Sequence, residues 1–141
     1  MRRRSFLLLT AATAWADVEQ ELSDLVAAMA SGLSEGNAAA FLKTVDASLP
    51  GYESFAANVR GLVAQNALSS SIEIVKQDGD NRGRNLELDW LLEITGTDGS
   101  RNFVRRQDTV KVRLERRKGR WRVTAIEPRG FFAPPGVAPA K

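Results

Sequence analysis

Two charged side chains interrupt an otherwise apolar pattern, and their types are those that handle oxygen. In Val104-Arg105-Arg106-Gln107-Asp108-Thr109-Val110-Lys111-Val112, alternate residues share one side of an extended chain, which sets Arg106 and Asp108 among valines. Arginine in such a place can hold an anionic or carbonyl oxygen by its planar fork, and aspartate can accept a proton or a hydroxyl. Trp90 would supply an apolar wall beside them. Charges on an apolar face are a local inconsistency of the kind that marks functional or strained sites. An ion pair at the rim, or a bulge that turns both outward, is the plainer explanation.

Other chemistry is sparse. The 141 residues include no histidine and no cysteine, which removes the usual base near neutral pH, the commonest metal ligand, catalytic thiols and disulfides. Asp78, Asp80 and Asn81 resemble part of a calcium loop, yet the twelve-position pattern closing in glutamate is missing, and a hairpin turn accounts for them. No metal and no cofactor is therefore expected. Trp90, Trp121, Phe131 and Phe132 can line a ligand pocket, although aromatic residues at such spacings more often fill a core.

A sheet must position Arg106 and Asp108. Asn85 to Thr95 reads as its central strand, with Leu86, Leu88, Trp90, Leu92 and Ile94 on one face and Glu87, Asp89 and Glu93 on the other; Leu91 is the exception on the charged side. A turn centred on Gly99 sets Leu86 opposite Val112, Leu88 opposite Val110, Ile94 opposite Val104 and Glu93 opposite Arg105. A centre one residue later keeps the faces and pairs Leu86 with Leu114, whereas a centre between residues opposes apolar to charged side chains. After a two-residue Lys118-Gly119 turn, Leu114 should face Val123, Val112 should face Ala125 and Glu115 should face Arg122. An earlier strand over Ser70 to Gln77 completes a four-stranded meander.

Helices precede the strands. Val18, Leu22, Leu25, Val26, Met29 and Leu33 recur at helical spacing from Asp17 to about Ser31, with Gly32 as the expected C-terminal cap. Ser34 or Asn37 can cap a short second helix reaching about Val45, and a third carries Tyr52, Phe55, Val59, Leu62 and Val63 and ends near Asn66. Residues 133–141, with three prolines and a glycine, read as a flexible tail.

The first sixteen residues have a different character. Arg2, Arg3 and Arg4, the apolar run Phe6 to Ala14 and the small-x-small site Ala14-Trp15-Ala16 make up a secretory signal cleaved after Ala16. That run is shorter than the roughly 20 residues a spanning helix needs, so no stable membrane anchor is expected. Arg3-Arg4-Ser5-Phe6-Leu7 is similar to the twin-arginine pattern, and the route stays open between that pathway and ordinary secretion. The formal charge of +3 includes those three arginines, so the mature chain balances to zero and offers no global basic field for nucleic acid.

Helices followed by a twisted antiparallel meander describe an α+β domain in which a curved, cone-like sheet wraps a helical layer. The chain resembles the nuclear transport factor 2-like superfamily, which includes ketosteroid isomerase and polyketide-cyclase-like proteins. Glu35-Gly36-Asn37-Ala38-Ala39-Ala40-Phe41-Leu42 and Gly119-Arg120-Trp121-Arg122-Val123-Thr124-Ala125-Ile126 carry the resemblance, which spans Val18 to about Phe132. It implies a pocket between sheet and helices, used by some members for catalysis on small organic molecules and by others for binding or dimerisation; fold alone does not choose. A ketosteroid-isomerase-like site would need an aspartate base and a donor such as tyrosine, for which Tyr52 is the single candidate. The resulting expectation is an exported domain over residues 17–132 that binds a small organic ligand near Arg106, Asp108, Trp90 and Tyr52, or acts as a scaffold, without catalysis. The alternative is an isomerase, cyclase or hydrolase using the Asp108 and Arg106 pair. A homodimer through the charge-patterned outer sheet face is a further expectation.

Overall fold

The computed structural model describes residues 2–97, 99 and 102–136, with side chains from residue 17 onward. Three helices come first, α1 (Arg2–Ser34), α2 (Ala38–Leu42) and α3 (Tyr52–Gln65). Strands β1 (Asn66–Gly79), β2 (Gly83–Gly96), β3 (Phe103–Arg117) and β4 (Arg120–Glu127) follow, then a single 3₁₀ turn over Arg129–Phe132. The strands form one antiparallel sheet in the order β1-β2-β3-β4. The α+β architecture expected from the pattern is thus the one observed among the described residues.

The inward side chains of β2 build the core. Leu86, Leu88, Trp90, Leu92 and Ile94 are each at most 1% exposed and pack with Leu22, Met29 and Leu33 of α1, Phe41 of α2 and Phe55, Val59 and Leu62 of α3. Their outward neighbours Glu87, Asp89 and Glu93 are half-exposed. The β2–β3 register is the one centred on residue 99: Leu86 lies opposite Val112, Leu88 opposite Val110, Trp90 opposite Asp108, Leu92 opposite Arg106 and Glu93 opposite Arg105. A pairing slip of one residue would drive the whole apolar row into water, so parity excludes such registers; the register centred on residue 100, which keeps the same faces, is not the one formed.

Several boundaries differ from the sequence expectation. α1 does not begin at Asp17 but is continuous from Arg2, and it does not stop at Gly32. Its terminal turn is closed by Gly36 at φ +69°, with Gly36 N–H donating to Leu33 O at 3.1 Å and Asn37 N–H to Gly32 O at 2.7 Å, the paired bonds of a Schellman motif. Gly32 serves packing instead: a Cβ there would meet the Phe41 backbone nitrogen at 2.9 Å, so α1 and α2 touch through bare backbone. α2 is capped by Asn37, whose Oδ1 accepts from Ala40 N–H at 3.0 Å, and ends at Leu42 rather than Val45. Val45 instead forms a bridge with Val123 of β4.

β1 runs four residues earlier and two later than Ser70 to Gln77. β4 departs from simple two-residue pairing: Leu114 faces Val123 and Glu115 faces Arg122 as expected, but Val112 faces Ile126 and not Ala125. A bulge at Thr124 absorbs one residue, and Thr124 Oγ1 donates to Glu115 Oε2 at 3.2 Å. The shift buries Ile126 and leaves the smaller Ala125 exposed. Ala133, expected in the tail, is buried; residues 137–141 of the expected tail lie outside the described residues.

One charge enters the core and is held from several sides. Arg84, 4% exposed, donates from Nη1 to Gln77 Oε1 at 2.8 Å and to Glu19 Oε2 at 3.2 Å, and from Nε to Asp80 O at 3.0 Å. It ties α1 to the β1–β2 hairpin. Within that hairpin Asp80 Oδ1 accepts from Arg82 and Gly83 N–H, the turn role expected for it, and these bonds hold its carboxyl below the ordinary aspartate range.

Candidate functional site

Arg106 and Asp108 occupy the stretch of β3 that β4 does not cover. β4 ends where Glu127 meets Lys111, and the chain then turns through Pro128 into the 3₁₀ segment. Over the missing strand lies the chain's own C-terminal strap, Arg129 to Pro134. Arg106 holds it: Nη1 donates to Ala133 O at 2.6 Å and Phe131 O at 2.8 Å, with Gly130 O at 3.5 Å. Half-burial lowers the guanidinium's proton affinity from its ordinary value, and the carbonyls supply the solvation that burial removes. Charges on the inward face therefore persist because one of them closes the open end of a 3₁₀ turn.

Asp108 does not join this arrangement. Its side chain is exposed, its Oδ1 accepts from the adjacent Thr109 N–H at 2.8 Å, and no ion pair or hydrogen bond links it to Arg106. The rim ion pair expected as the plainer explanation is absent among the described residues. The two residues do line one shallow cleft of about 430 Å³ together with Arg105, Gln107, Pro128 and Phe131. Neither Trp90 nor Tyr52 reaches it.

Trp90 is fully buried. Its indole meets Phe132 edge-on at 5.0 Å and Phe131 at 5.9 Å, and Phe41 stands 6.3 Å away. Phe55 completes the cluster at 5.7 Å from Phe132. Trp90 Nε1 donates to Ser70 Oγ at 2.8 Å, which satisfies its single polar atom. Tyr52 opens α3, half-buried against the core, and faces no aspartate through any hydrogen bond. The four expected ligand-binding residues thus fall into three settings: Arg106 and Asp108 share a surface cleft, Trp90 is core and Tyr52 flanks the first turn of α3.

The strap was invisible to sequence reasoning. The acceptors of Arg106 are backbone carbonyls of Gly130, Phe131 and Ala133, which carry no residue-type signal. A hint existed in Phe131-Phe132, a paired aromatic too apolar to be left in a loop.

Helices on one face of a four-stranded antiparallel meander define an α+β class with known relatives. The fold is the nuclear transport factor 2-like fold. A protein of that superfamily from Salmonella enterica serovar Typhimurium superposes with a TM-score of 0.65 over 89% of this chain and 94% of its own, at 12% identity. A conserved protein from Planctomyces limnophilus gives 0.70 over 79% and 93% at 12% identity. A hexachlorocyclohexane dehydrochlorinase, LinA type 2, gives 0.61 over 84% and 95% at 15% identity. No protein-family model and no curated protein matches the sequence.

Proposed function

We propose that this chain is an exported, non-catalytic binding or scaffold module built on the nuclear transport factor 2-like fold. The observation that carries the reading is the filled interior. Between sheet and helices, where a small organic molecule would enter, the side chains of Phe41, Phe55, Trp90, Phe131 and Phe132 pack against one another. The alternative, an isomerase, cyclase or hydrolase using Arg106 and Asp108, loses support because the guanidinium is spent on strap carbonyls while the carboxylate stands in water. Some proteins of this fold, the dehydrochlorinase among them, are enzymes, so the distinction lies in the interior and not in the fold. A thermal-shift screen of small aromatic and alicyclic compounds should give no stabilising hit in the interior. A compound that binds beneath the strap and is turned over would overturn the reading.

Export rests on the Arg2 to Ala16 pattern, with the domain over residues 17–132 remaining after cleavage. Among the described residues no helix is long and apolar enough to cross a membrane. Expression with the native N-terminus should give a periplasmic or secreted product beginning at Asp17, by the twin-arginine or the ordinary route. Full-length chain in the cytoplasm would refute this. The proposed mature form associates as a homodimer across the outer sheet face, where half-exposed Leu91 lies between Ser71 and Gln107.

A further inference from the structure

The β3–β4 turn carries a concentration of cations, two of which make no bond that supports the fold. A cleft of about 630 Å³, within the size range of small-molecule sites, is lined by Arg116, Arg117, Lys118, Arg120 and Arg122 against the single carboxylate of Asp46. Not all five are free. Arg116 is structural: it donates to Asn81 O, Gly119 O and Glu21 Oε1 and stacks 4.8 Å over Trp121. Arg117 pairs with Glu115 at 3.0 Å, and Arg122 is braced by a 3.2 Å bond to Lys43 O. Lys118 and Arg120 have no hydrogen bond or ion pair with any described residue.

Two features of this turn work against stability. Arg117 lies directly opposite Arg120 in the ladder, a like-charge cross-strand pair that destabilises a sheet. Lys118 sits at φ +52° in the first position of a tight hairpin turn, where asparagine or glycine is favoured. Both make sense if the hairpin is shaped by a ligand and not by folding alone. Asp46 is the exception that orients the site: bonded by Ser48 and flanked by Arg117 and Arg122, its carboxyl is held below the ordinary range and stays ionised. An anion is thereby kept off that wall and directed towards Lys118 and Arg120.

We propose that this cleft binds a soluble small molecule carrying two or more linked phosphoryl groups. Planar guanidinium forks match phosphoryl oxygens, Lys118 adds a point charge, and several cations strung along one hairpin suit a linked oligoanion better than a single phosphate. The site shares no lining residue with the aromatic cluster or the strap, so it depends on neither the filled interior nor export.

The test uses the protein recovered from expression with its native N-terminus, titrated calorimetrically with inorganic phosphate, pyrophosphate and tripolyphosphate. Affinity should rise along that series and fall with added salt. Arg120→Gln should weaken tripolyphosphate binding about tenfold and Lys118→Asn by a similar factor, while each leaves the melting temperature equal or higher because it relieves a local conflict. Arg120→Lys should recover part of the binding. Absence of saturable pyrophosphate or tripolyphosphate binding at millimolar concentration would overturn the proposal, as would unchanged affinity in both variants. Binding to phosphatidylglycerol vesicles that tripolyphosphate does not displace would also overturn it, in favour of a membrane surface.

Discussion

Replacing Arg106 with leucine removes the donor that the strap carbonyls share. Two of its bonds are short, 2.6 Å to Ala133 O and 2.8 Å to Phe131 O, while the 3.5 Å approach to Gly130 O is at the limit of useful geometry. A well-formed hydrogen bond from a charged group contributes about 1.5–3 kcal/mol net, and water at this half-buried site can replace part of it. A loss of about 2–3 kcal/mol is therefore expected from Arg106→Leu. The strap carries Phe131 and Phe132, both buried against Trp90, so the same variant should bind more anilinonaphthalene sulfonate and be cut faster by protease near Arg129. Asp108→Leu should change stability by less than about 0.5 kcal/mol, because its carboxylate is exposed and bonded only to the neighbouring backbone. With no bond between the two side chains, the double variant should equal the sum of the singles within about 0.5 kcal/mol. Urea denaturation of the three variants measures all of this. An Arg106→Leu protein as stable as the parent, or a coupling above about 1 kcal/mol, would refute the strap assignment.

Gly32→Ala should lower stability by about 1–2 kcal/mol despite its better helix propensity, because the new Cβ meets the Phe41 backbone at 2.9 Å; a stabilised variant in thermal melts would contradict the α1–α2 contact. Asp80→Ala should lower the melting temperature at neutral pH by removing the acceptor for Arg82 and Gly83 N–H. Since the folded-state pKa of Asp80 is depressed, its contribution is present above the unfolded aspartate value of about 3.9 and is lost as pH falls through the folded value, so parent and variant melting curves should converge in acid. Leu91→Glu should weaken the proposed homodimer, as light scattering of wild type and variant would register; a wild type that stays monomeric at hundreds of micromolar removes the dimer.

Parity made the sheet legible. A period of two along Asn85 to Thr95 and Val104 to Val112 leaves few registers that keep leucine, valine and tryptophan together, and the cross-strand charges of Glu93 and Arg105 agree with the one observed. Helix positions were equally readable from the spacing of Val18, Leu22, Val26 and Met29, all buried. Side-chain periodicity speaks for elements and faces, whereas it is silent on where a strand stops being covered. The length of β4, the bulge at Thr124 and the return of Phe131 and Phe132 over β3 depend on contacts between residues distant in sequence, and they decide that Arg106 becomes a clamp while Asp108, two residues further on, stays in water. The choice between Gly32 and Gly36 at the end of α1 was likewise tertiary, because only the approach of Phe41 reveals that one glycine is needed for closeness and the other for its left-handed backbone.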